Sequence, residues 1–295
     1  MEAWMNDISP FVRQVKILKS SSLSGEWIDY DYVFTYVEQG EADLWLDGVE
    51  YHVSEGDVFL MSPFIPHIIR TTTTVPLIQY IFHFDLYYDE ERSKRKEIGY
   101  NKHEHKKWDF EKNAFNPIHP ISSVNRADRI QLKNRFLMMH RAFLDNHDGN
   151  ALLLKAICME YLFLFIKNQP NIKSDKSKMS KGWVSIEKAV NCIHEQYWNS
   201  QLNNELISKH VNLSTNHLSY LFKDQLNVSI RQYITHVRIE IAKKKIIEGK
   251  ETMTTIAEQT GFSSIHMFSR SFKNTVGITP SQFQATQSRS RGNGQ

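Results

Sequence analysis

Cysteine is scarce in this 295-residue chain, and a long uninterrupted apolar run is missing. Two cysteines, Cys158 and Cys192, are too few for a disulfide scaffold or a four-thiolate zinc site, and both are expected to be buried and inert. The longest apolar stretch, at 151–166, is too short to span a bilayer. The first twenty residues lack the basic start and apolar run of a signal peptide. These absences predict a cytoplasmic protein without a membrane partner.

The net charge is only +3, which does not identify a partner, but its distribution along the chain is uneven. Residues 1–86 carry 4 basic and 13 acidic side chains, whereas residues 183–295 carry 13 basic and 8 acidic ones. A polyanionic partner is therefore expected to bind the C-terminal part of the chain.

The N-terminal part of the chain has the hydrophobic pattern of β-strands. Apolar and acidic side chains alternate over much of 41–47, which is the two-residue period of a half-buried strand. Asp47-Gly48 then supplies a favoured hairpin dipeptide, because both turn positions need positive φ. Short strands of this kind recur from 27 to 84, which predicts a sandwich or barrel, most simply a small jelly roll.

The rest of the chain is helical in pattern. Apolar residues recur at helical spacing over 124–144 and 151–167, and a polar stretch then separates them from further helices. The expected fold is α+β with two domains, comprising a β jelly-roll barrel at 1–120, a helical segment at 121–167, a linker at 168–182 and an all-α domain at 183–285.

The all-α domain contains an internal repeat. ISKHVNLSTNHLSYLFK at 207–223 matches IAEQTGFSSIHMFSRSFK at 256–273, with one residue inserted in the second copy. Each copy has the pattern of a helix-turn-helix motif, which places the two motifs at about 202–223 and 252–273.

Turn and capping residues support the two motifs. Asn212 and Gly261 occupy the tight turns, where residues that tolerate positive φ are needed. Ser214 is the expected N-cap of the second helix in the first motif, and Ser263 or Ser264 has that role in the second motif.

At these residues the sequence resembles the AraC/XylS family of bacterial transcription regulators. The patterns RI-x-x-A, IA-x-x-x-GF, FS-x-x-FK and G-x-(S/T)-P follow one another in the family's order from 238 to 280. Three departures are visible: Ser208 replaces a usual alanine, Asn227 a usual glycine and Gln284 a usual arginine. None of the three removes an expected groove contact.

The resemblance implies partners as well as a fold. It implies double-stranded operator DNA, a homodimer formed through the helical segment at 121–167, and RNA polymerase as a further candidate partner. The alternative for the helical segment is packing onto the barrel of the same chain, and the two roles are compatible. No cofactor is expected.

The second helix of each motif is expected to enter the major groove of DNA, where arginine can pair with guanine and asparagine with adenine. In each helix one face is apolar at helical spacing and the opposite face is polar. The lysines are expected to contact phosphates, and Ile265 suits either a thymine methyl contact or packing. The alternative for any one of these residues is that it lies on a solvated helix face and contacts no DNA. The expected DNA-binding residues are Asn216, Ser219, Tyr220, Lys223, Ile265, His266, Ser269, Arg270 and Lys273.

The front of the chain resembles the cupin-like sensor domain of the same family more weakly, through GEADLWLDGVEYHVSEGDVFLMSPFIPH at 40–67 and IFHF at 81–84. This implies a barrel that binds a small effector, often a sugar. On the last strand, Gln79, Ile81 and His83 share one face. The candidate effector-binding residues are Tyr36, Trp45, His67, Gln79 and Ile81, with ordinary core packing as the alternative for Tyr36 and Trp45.

A metal-dependent cupin enzyme fused to a DNA-binding domain is the alternative function. Such enzymes bind metal through an H-x-H pair, a glutamate and a later histidine. The strand before Gly40 contains no histidine, so only His67 of that set is present, and one imidazole is a poor divalent site. The cluster His103-Glu104-His105 is more simply a solvated group. The sequence therefore predicts neither catalysis nor a metal.

Overall fold

The computed structural model describes residues 7–24, 28–90, 118–145, 147, 149–170, 182–226 and 228–285. The chain divides into two compact units, Met1–Ser180 and Lys181–Gln295. The first is β-rich and the second is helical, which confirms the predicted two-domain α+β class.

Two antiparallel sheets form the first unit. Its strands are β1 (Phe11–Ser20), β2 (Leu23–Ser24), β3 (Tyr32–Gln39), β4 (Glu41–Leu46), β5 (Val49–Ser54), β6 (Asp57–Met61), β7 (His67–Thr71), β8 (Leu77–Asp85) and β9 (Ile121–Ser123). One sheet has the order β1-β8-β3-β6-β9 and the other the order β2-β7-β4-β5. Because the described strands form two separate hydrogen-bonded sheets, the predicted barrel is not closed.

The hairpin between β4 and β5 has the expected turn. Asp47 has φ of 46° and Gly48 has φ of 80°, so both central residues are left-handed. Glu41 pairs with Ser54 and Leu46 with Val49, which keeps the register continuous across the hairpin. The Asp-Gly dipeptide therefore determines this connection locally.

Three strands lie outside the range that the sequence pattern indicated. β1 and β2 precede residue 27, and β1 pairs with β8 along nearly its whole length. β9 occupies the first three residues of the predicted helical segment and pairs with β6 instead. β1 was missed because it is an edge strand with lysines and arginine among its apolar residues, and β9 because three residues give no period.

The five-stranded sheet has an apolar core on each face. On β8, Tyr80, Phe82 and Phe84 belong to the core under the helices α1 (Arg126–Leu144) and α2 (Asn150–Lys167). Ile81 belongs to the core between the two sheets. The alternation of faces predicted for this strand is therefore confirmed. Cys158 on α2 is buried and unbridged, as is Cys192 in the second unit.

The second unit contains the helices α3 (Trp183–Gln196), α4 (Asn204–His210), α5 (Thr215–Leu226), α6 (Ile230–Glu248), α7 (Met253–Gln259) and α8 (Ile265–Val276), and a further helical segment follows at 280–285. The pairs α4–α5 and α7–α8 are the two helix-turn-helix motifs, and α6 connects them. None of the described helices is long and apolar enough to cross a membrane.

Candidate functional site

The two recognition helices are copies of one another in three dimensions. Both α5 and α8 contain 12 residues. Both α4 and α7 contain 7 residues, so the inserted residue of the second copy lies in the turn between the helices. Every position of α5 therefore corresponds to the position 50 residues later in α8, as Leu218 corresponds to Phe268 and Phe222 to Phe272.

The local conformations that hold these helices follow the sequence expectation. Asn212 has φ of 58° and Gly261 has φ of 79°, so both turns are left-handed where a permissive residue stands. The Ser214 hydroxyl accepts a hydrogen bond from the backbone N–H of His217 at 3.2 Å. Ser264, rather than Ser263, caps α8 by accepting from the N–H of Met267 at 3.2 Å. Each cap satisfies an N–H that the first helical turn leaves unpaired.

A repeated capping box begins the helix that follows each motif. The Ser229 hydroxyl accepts from the N–H of Gln232 at 3.2 Å, and the Gln232 side chain accepts from the Ser229 N–H at 2.8 Å. Thr279 and Gln282 make the same exchange at 3.3 and 2.9 Å. Both motifs are thus closed by the same reciprocal pair of bonds.

The buried face of each recognition helix is the predicted one. Leu218, Phe222, Phe268 and Phe272 are fully buried, and Leu221 is 8% exposed. The four positions expected to contact DNA lie on the other side in both helices. Ser219 and Ser269 are partly exposed at these positions. The other six side chains are exposed, and they are Asn216, Tyr220 and Lys223 in α5 and His266, Arg270 and Lys273 in α8.

Two of the candidate residues have additional contacts. Ile265 at the start of α8 is partly buried and packs against the core of the second motif. The Tyr220 hydroxyl lies 3.5 Å from Asp224 one turn later, at the limit of a hydrogen bond. Tyr220 remains 62% exposed, so its ring is presented to solvent along with Asn216.

Ser208, which departs from the family pattern, is accommodated without an unpaired hydroxyl. It is buried on α4, and its hydroxyl donates to the carbonyl oxygen of Glu205 at 3.0 Å. Its oxygen also lies 3.3 Å from the Thr215 hydroxyl. A polar atom in this packed position is therefore satisfied. Asn227 lies outside the described residues.

Three of the candidate effector-binding residues lie together between the sheets. His67 pairs with Leu46, and Gln79 pairs with Val37, both on strand faces whose neighbours form the inter-sheet core. Ile81 is a member of that core. His67 and Gln79 are 2% and 0% exposed, so two polar side chains are enclosed beside the apolar residues of that core.

Tyr36 and Trp45 lie elsewhere. Tyr36 pairs with Tyr80, so it faces the helices α1 and α2 rather than the inter-sheet space, and its ring centroid is 5.9 Å from that of Tyr80. Trp45 lies on the opposite face of β4 from Leu44 and Leu46, where the Arg70 guanidinium sits 5.0 Å above its ring. Strand alternation therefore separates both residues from Gln79 and Ile81.

Thr35 and His83 are inward-facing polar residues that the candidate set did not include. Thr35 pairs with Ile81, and His83 pairs with Val33, so both share the inner face with Gln79. They are 1% and 6% exposed. Within the described part of the chain, the Thr35 hydroxyl and His83 Nε2 have no hydrogen-bond partner. Buried polar atoms of this kind are costly unless something binds them.

A polar network surrounds the same end of the inner face. The Arg13 guanidinium donates to Asp85 at 3.0 Å and lies 3.4 Å from Asp31. Asp31 also lies 2.9 Å from His83 Nδ1, which in turn is 3.9 Å from Asp29. No sequence pattern indicates this network, because its members lie on β1, β8 and the segment before β3.

Asp29 is held at the edge of this network. Its carboxylate lies 3.2 Å from His67 Nε2, and its backbone carbonyl accepts from the N–H of Phe64 at 2.8 Å. Burial raises the pKa of Asp29, but the His67 hydrogen bond and the charges of His83, His67 and Lys16 outweigh burial and hold that pKa below its ordinary value. The carboxylate is therefore ionised in the folded protein.

Two family models match the chain. The model of the AraC-like ligand-binding domain matches residues 24–162, and a helix-turn-helix domain model matches residues 207–286. Fold and site together define a protein with a ligand-binding β domain and a double helix-turn-helix domain. The chain belongs to the AraC/XylS family of transcription regulators.

Several relatives are transcription regulators by name. The chain is 33% identical to the Msm operon regulatory protein of Streptococcus mutans over 136 residues, which is 46% of this chain and 48% of that protein. It is 22% identical to the lactose operon transcription activator of Staphylococcus xylosus over 259 residues, 85% of this chain and 83% of the other. The match to uncharacterized Staphylococcus aureus regulators spans 90 residues at 37% identity, 30% of this chain and 12% of theirs. The chain thus matches about half or less of the length of most of these relatives.

Two solved structures align with different shares of the chain. The C-terminal domain of AraT, a response regulator from Geobacillus stearothermophilus, is 28% identical, with a TM-score of 0.35 over 36% of this chain and 88% of that chain. ToxT from Vibrio cholerae is 15% identical, with a TM-score of 0.42 over 92% and 96%.

Proposed function

We propose that this protein is a sequence-specific DNA-binding transcription regulator whose front domain binds a small effector. The observation that carries the proposal is the residue-by-residue correspondence of α5 and α8. Each helix exposes the same four polar positions while its apolar face is buried in its own motif. Two equivalent surfaces on one chain suit two major grooves of the same duplex.

The DNA-binding proposal is tested by a selection that does not require a known operator. Full-length protein is used to select binding sequences from a random duplex library. The most enriched sequence is then footprinted. We expect two protected major grooves per protomer about one duplex turn, roughly 34 Å, apart on one face. A selected sequence with one protected groove per protomer, or no sequence enrichment at all, contradicts the proposal.

The effector site is proposed to lie between the two sheets. Its polar lining is His67, Gln79, Thr35 and His83, and Ile81 supplies an apolar wall. The buried hydroxyl of Thr35 and Nε2 of His83 are suited to hydrogen bonds with a ligand rich in hydroxyl groups, such as a sugar. The name of the S. xylosus relative, a lactose operon activator, agrees with a carbohydrate.

A thermal-shift screen of mono- and disaccharides against full-length protein tests this site. We expect Thr35→Val and Gln79→Leu to abolish the shift given by the best ligand, because each removes a buried hydrogen-bonding group without a large change in volume. Thr72→Val, at an exposed position of the same domain, is the matched control and should retain the shift. An unchanged shift in both inner-face variants would locate the effector elsewhere.

A homodimer through α1 and α2 is also proposed. Ile130 and Leu144 are 68% and 70% exposed on α1, and they are fourteen residues, or two heptads, apart. On α2, Leu152 is 76% and Phe163 is 62% exposed. Exposed apolar side chains at such spacing are typical of a helix-mediated interface.

Sedimentation of the full chain tests the dimer. Leu152→Glu should convert dimer to monomer at micromolar concentration, because a charge in an apolar interface is left unpaired. Thr74→Glu, which places the same charge at an exposed position of the first unit, is the control. A wild-type chain that sediments as a monomer with operator DNA contradicts this part of the proposal.

A further inference from the structure

Asp29, Asp31 and His83 come together at one end of the inter-sheet space. One ligand atom of each lies within 4.8 Å of the ligand atoms of the other two. The two aspartates stand in the segment before β3, and His83 stands on β8, where it pairs with Val33 of β3. We propose that these three side chains form a binding site for a divalent transition-metal ion, such as Mn²⁺ or Zn²⁺.

The spacing of the donor atoms fits ligands around one ion. His83 Nδ1 lies 2.9 Å from Asp31 Oδ1 and 3.9 Å from Asp29 Oδ1. Ligands bound at about 2.0–2.2 Å in tetrahedral or octahedral geometry stand roughly 3–4 Å from one another. Imidazole with carboxylates is a donor set that such ions accept.

Charge balance gives a second reason for a cation. Asp29, Asp31 and Asp85 are three largely buried carboxylates, with side chains 11%, 13% and 1% exposed, and Arg13 pairs with two of them. Arg13 and Lys16 are cationic side chains that act on these carboxylates, so the carboxylates outnumber them. Buried charges are costly unless they are paired or bind a metal, so this excess of carboxylates favours a cation.

His67 lies beside the same carboxylates. Its Nε2 lies 3.2 Å from Asp29 Oδ2, and its Nδ1 lies 2.9 Å from the carbonyl oxygen of Ile65. His67 is 2% exposed and is therefore the candidate fourth donor beside Asp29.

The sequence did not reveal this site because it differs from the H-x-H pattern of metal-dependent cupins. Its donors are an Asp-x-Asp segment and a histidine 52 residues further along the chain. The site is also independent of the proposed DNA-binding function, because all its members belong to the first unit.

Metal binding is measured on chelator-treated full-length protein. Equilibrium dialysis against Mn²⁺ and Zn²⁺, followed by elemental analysis, should give one ion per chain. His83→Gln and Asp31→Asn should weaken binding roughly tenfold or more, because each removes a ligand. His52→Gln should not, although His52 also lies beside two carboxylates, 3.1 Å from Asp43 and 3.9 Å from Glu41, on the exposed outer face.

Circular dichroism first establishes which variants fold, and the metal-induced rise in melting temperature then provides a second readout. We expect that rise in wild-type and His52→Gln protein and its loss in Asp31→Asn protein. A chain that takes up no ion overturns the proposal. Stoichiometric binding that survives His83→Gln and Asp31→Asn but is lost on replacing His103 and His105 also overturns it.

Discussion

Gly261 packs against the backbone carbonyl of Tyr197 so closely that no side chain fits between them. A Cβ added to Gly261 would lie 2.3 Å from the Tyr197 carbonyl oxygen and 2.9 Å from that of Trp198. Arg238 on α6 contacts the same stretch of backbone, since its guanidinium donates hydrogen bonds to the carbonyl oxygens of Tyr197 and Asn199 at 2.8 Å each. The turn of the second motif, the connecting helix and the end of α3 therefore meet at one point.

This contact predicts that Gly261→Ala strongly destabilises the second unit. The change forces a side chain into a φ of +79° and also into the Tyr197 carbonyl, and together these cost about 3 kcal/mol of unfolding free energy. Gly249→Ala is the matched control, because Gly249 has φ of +71° but no atom within 4 Å of an added Cβ. Its expected cost is about 1 kcal/mol.

Urea denaturation followed by circular dichroism compares the two glycine variants with wild type. Equal losses in Gly261→Ala and Gly249→Ala would show that only backbone conformation matters. They would contradict the close approach to Tyr197.

Arg270 is expected to contact a base edge in the major groove and so to contribute to sequence specificity. Its side chain is exposed on α8, and Arg270→Ala should weaken operator binding by roughly 1–3 kcal/mol while relaxing preference at one base pair. Lys273→Ala on the same helix should weaken binding to all sequences about equally, because a phosphate contact carries no sequence information. Competition binding to the selected operator and its single-base variants measures both effects.

Arg126→Ala, at an exposed position of the first unit, is the control for lost positive charge. If Arg270→Ala lowers affinity for operator and random duplex by the same factor, Arg270 is a phosphate contact.

The second unit should lose stability in mild acid because it buries histidines. His194 lies 3.4 Å from the Tyr233 hydroxyl, and its burial lowers its pKa to about 3, with His236 and Lys244 adding to the effect. Burial also lowers the pKa of His236, although Glu240 opposes this. In the unfolded chain these histidines take up protons near pH 6.5. The free energy of unfolding therefore has its full value above that pH and falls between pH 6.5 and about 3.

His194→Gln tests this dependence. Each buried histidine contributes up to about 1.4 kcal/mol of lost stability per pH unit within that range, so the variant should show a shallower slope than wild type between pH 6.5 and 5. Urea denaturation at a series of pH values measures the slope. His217→Gln, at an exposed position of α5, should keep the wild-type slope, and an unchanged slope in His194→Gln would disprove the assignment.

A fragment of residues 181–295 should fold by itself. It matches one compact unit, and its second motif has its own core around Phe268 and Phe272. The fragment should recognise the selected operator more weakly than the full chain, because two protomers joined through the first unit gain effective concentration. It should also be insensitive to effector.

Operator affinity of fragment and full-length protein, with and without the effector found by screening, checks this expectation. A fragment that binds as tightly as the full chain would exclude dimerisation as the basis of affinity.

Local features of the fold could be predicted from the sequence because neighbouring residues decide them. Asn212, Gly261 and the Asp47-Gly48 pair adopt positive φ because these residue types tolerate it, and Ser214 caps a helix three residues before the N–H that it binds. The exposed positions of α5 and α8 follow from helical period in the same way.

What only the tertiary structure decided depends on residues distant in the chain. Strand alternation predicts which residues of β8 share a face, but only its pairing with β3 shows that Tyr36 lies with Tyr80 and not with Gln79. The meeting of Asp29 and Asp31 with His83 likewise arises from pairing between β3 and β8, over some fifty residues of sequence. No local period or motif encodes such a separation. Sheet register and chain packing determine the buried polar cluster, while the amino-acid sequence by itself determined the helix-turn-helix repeat.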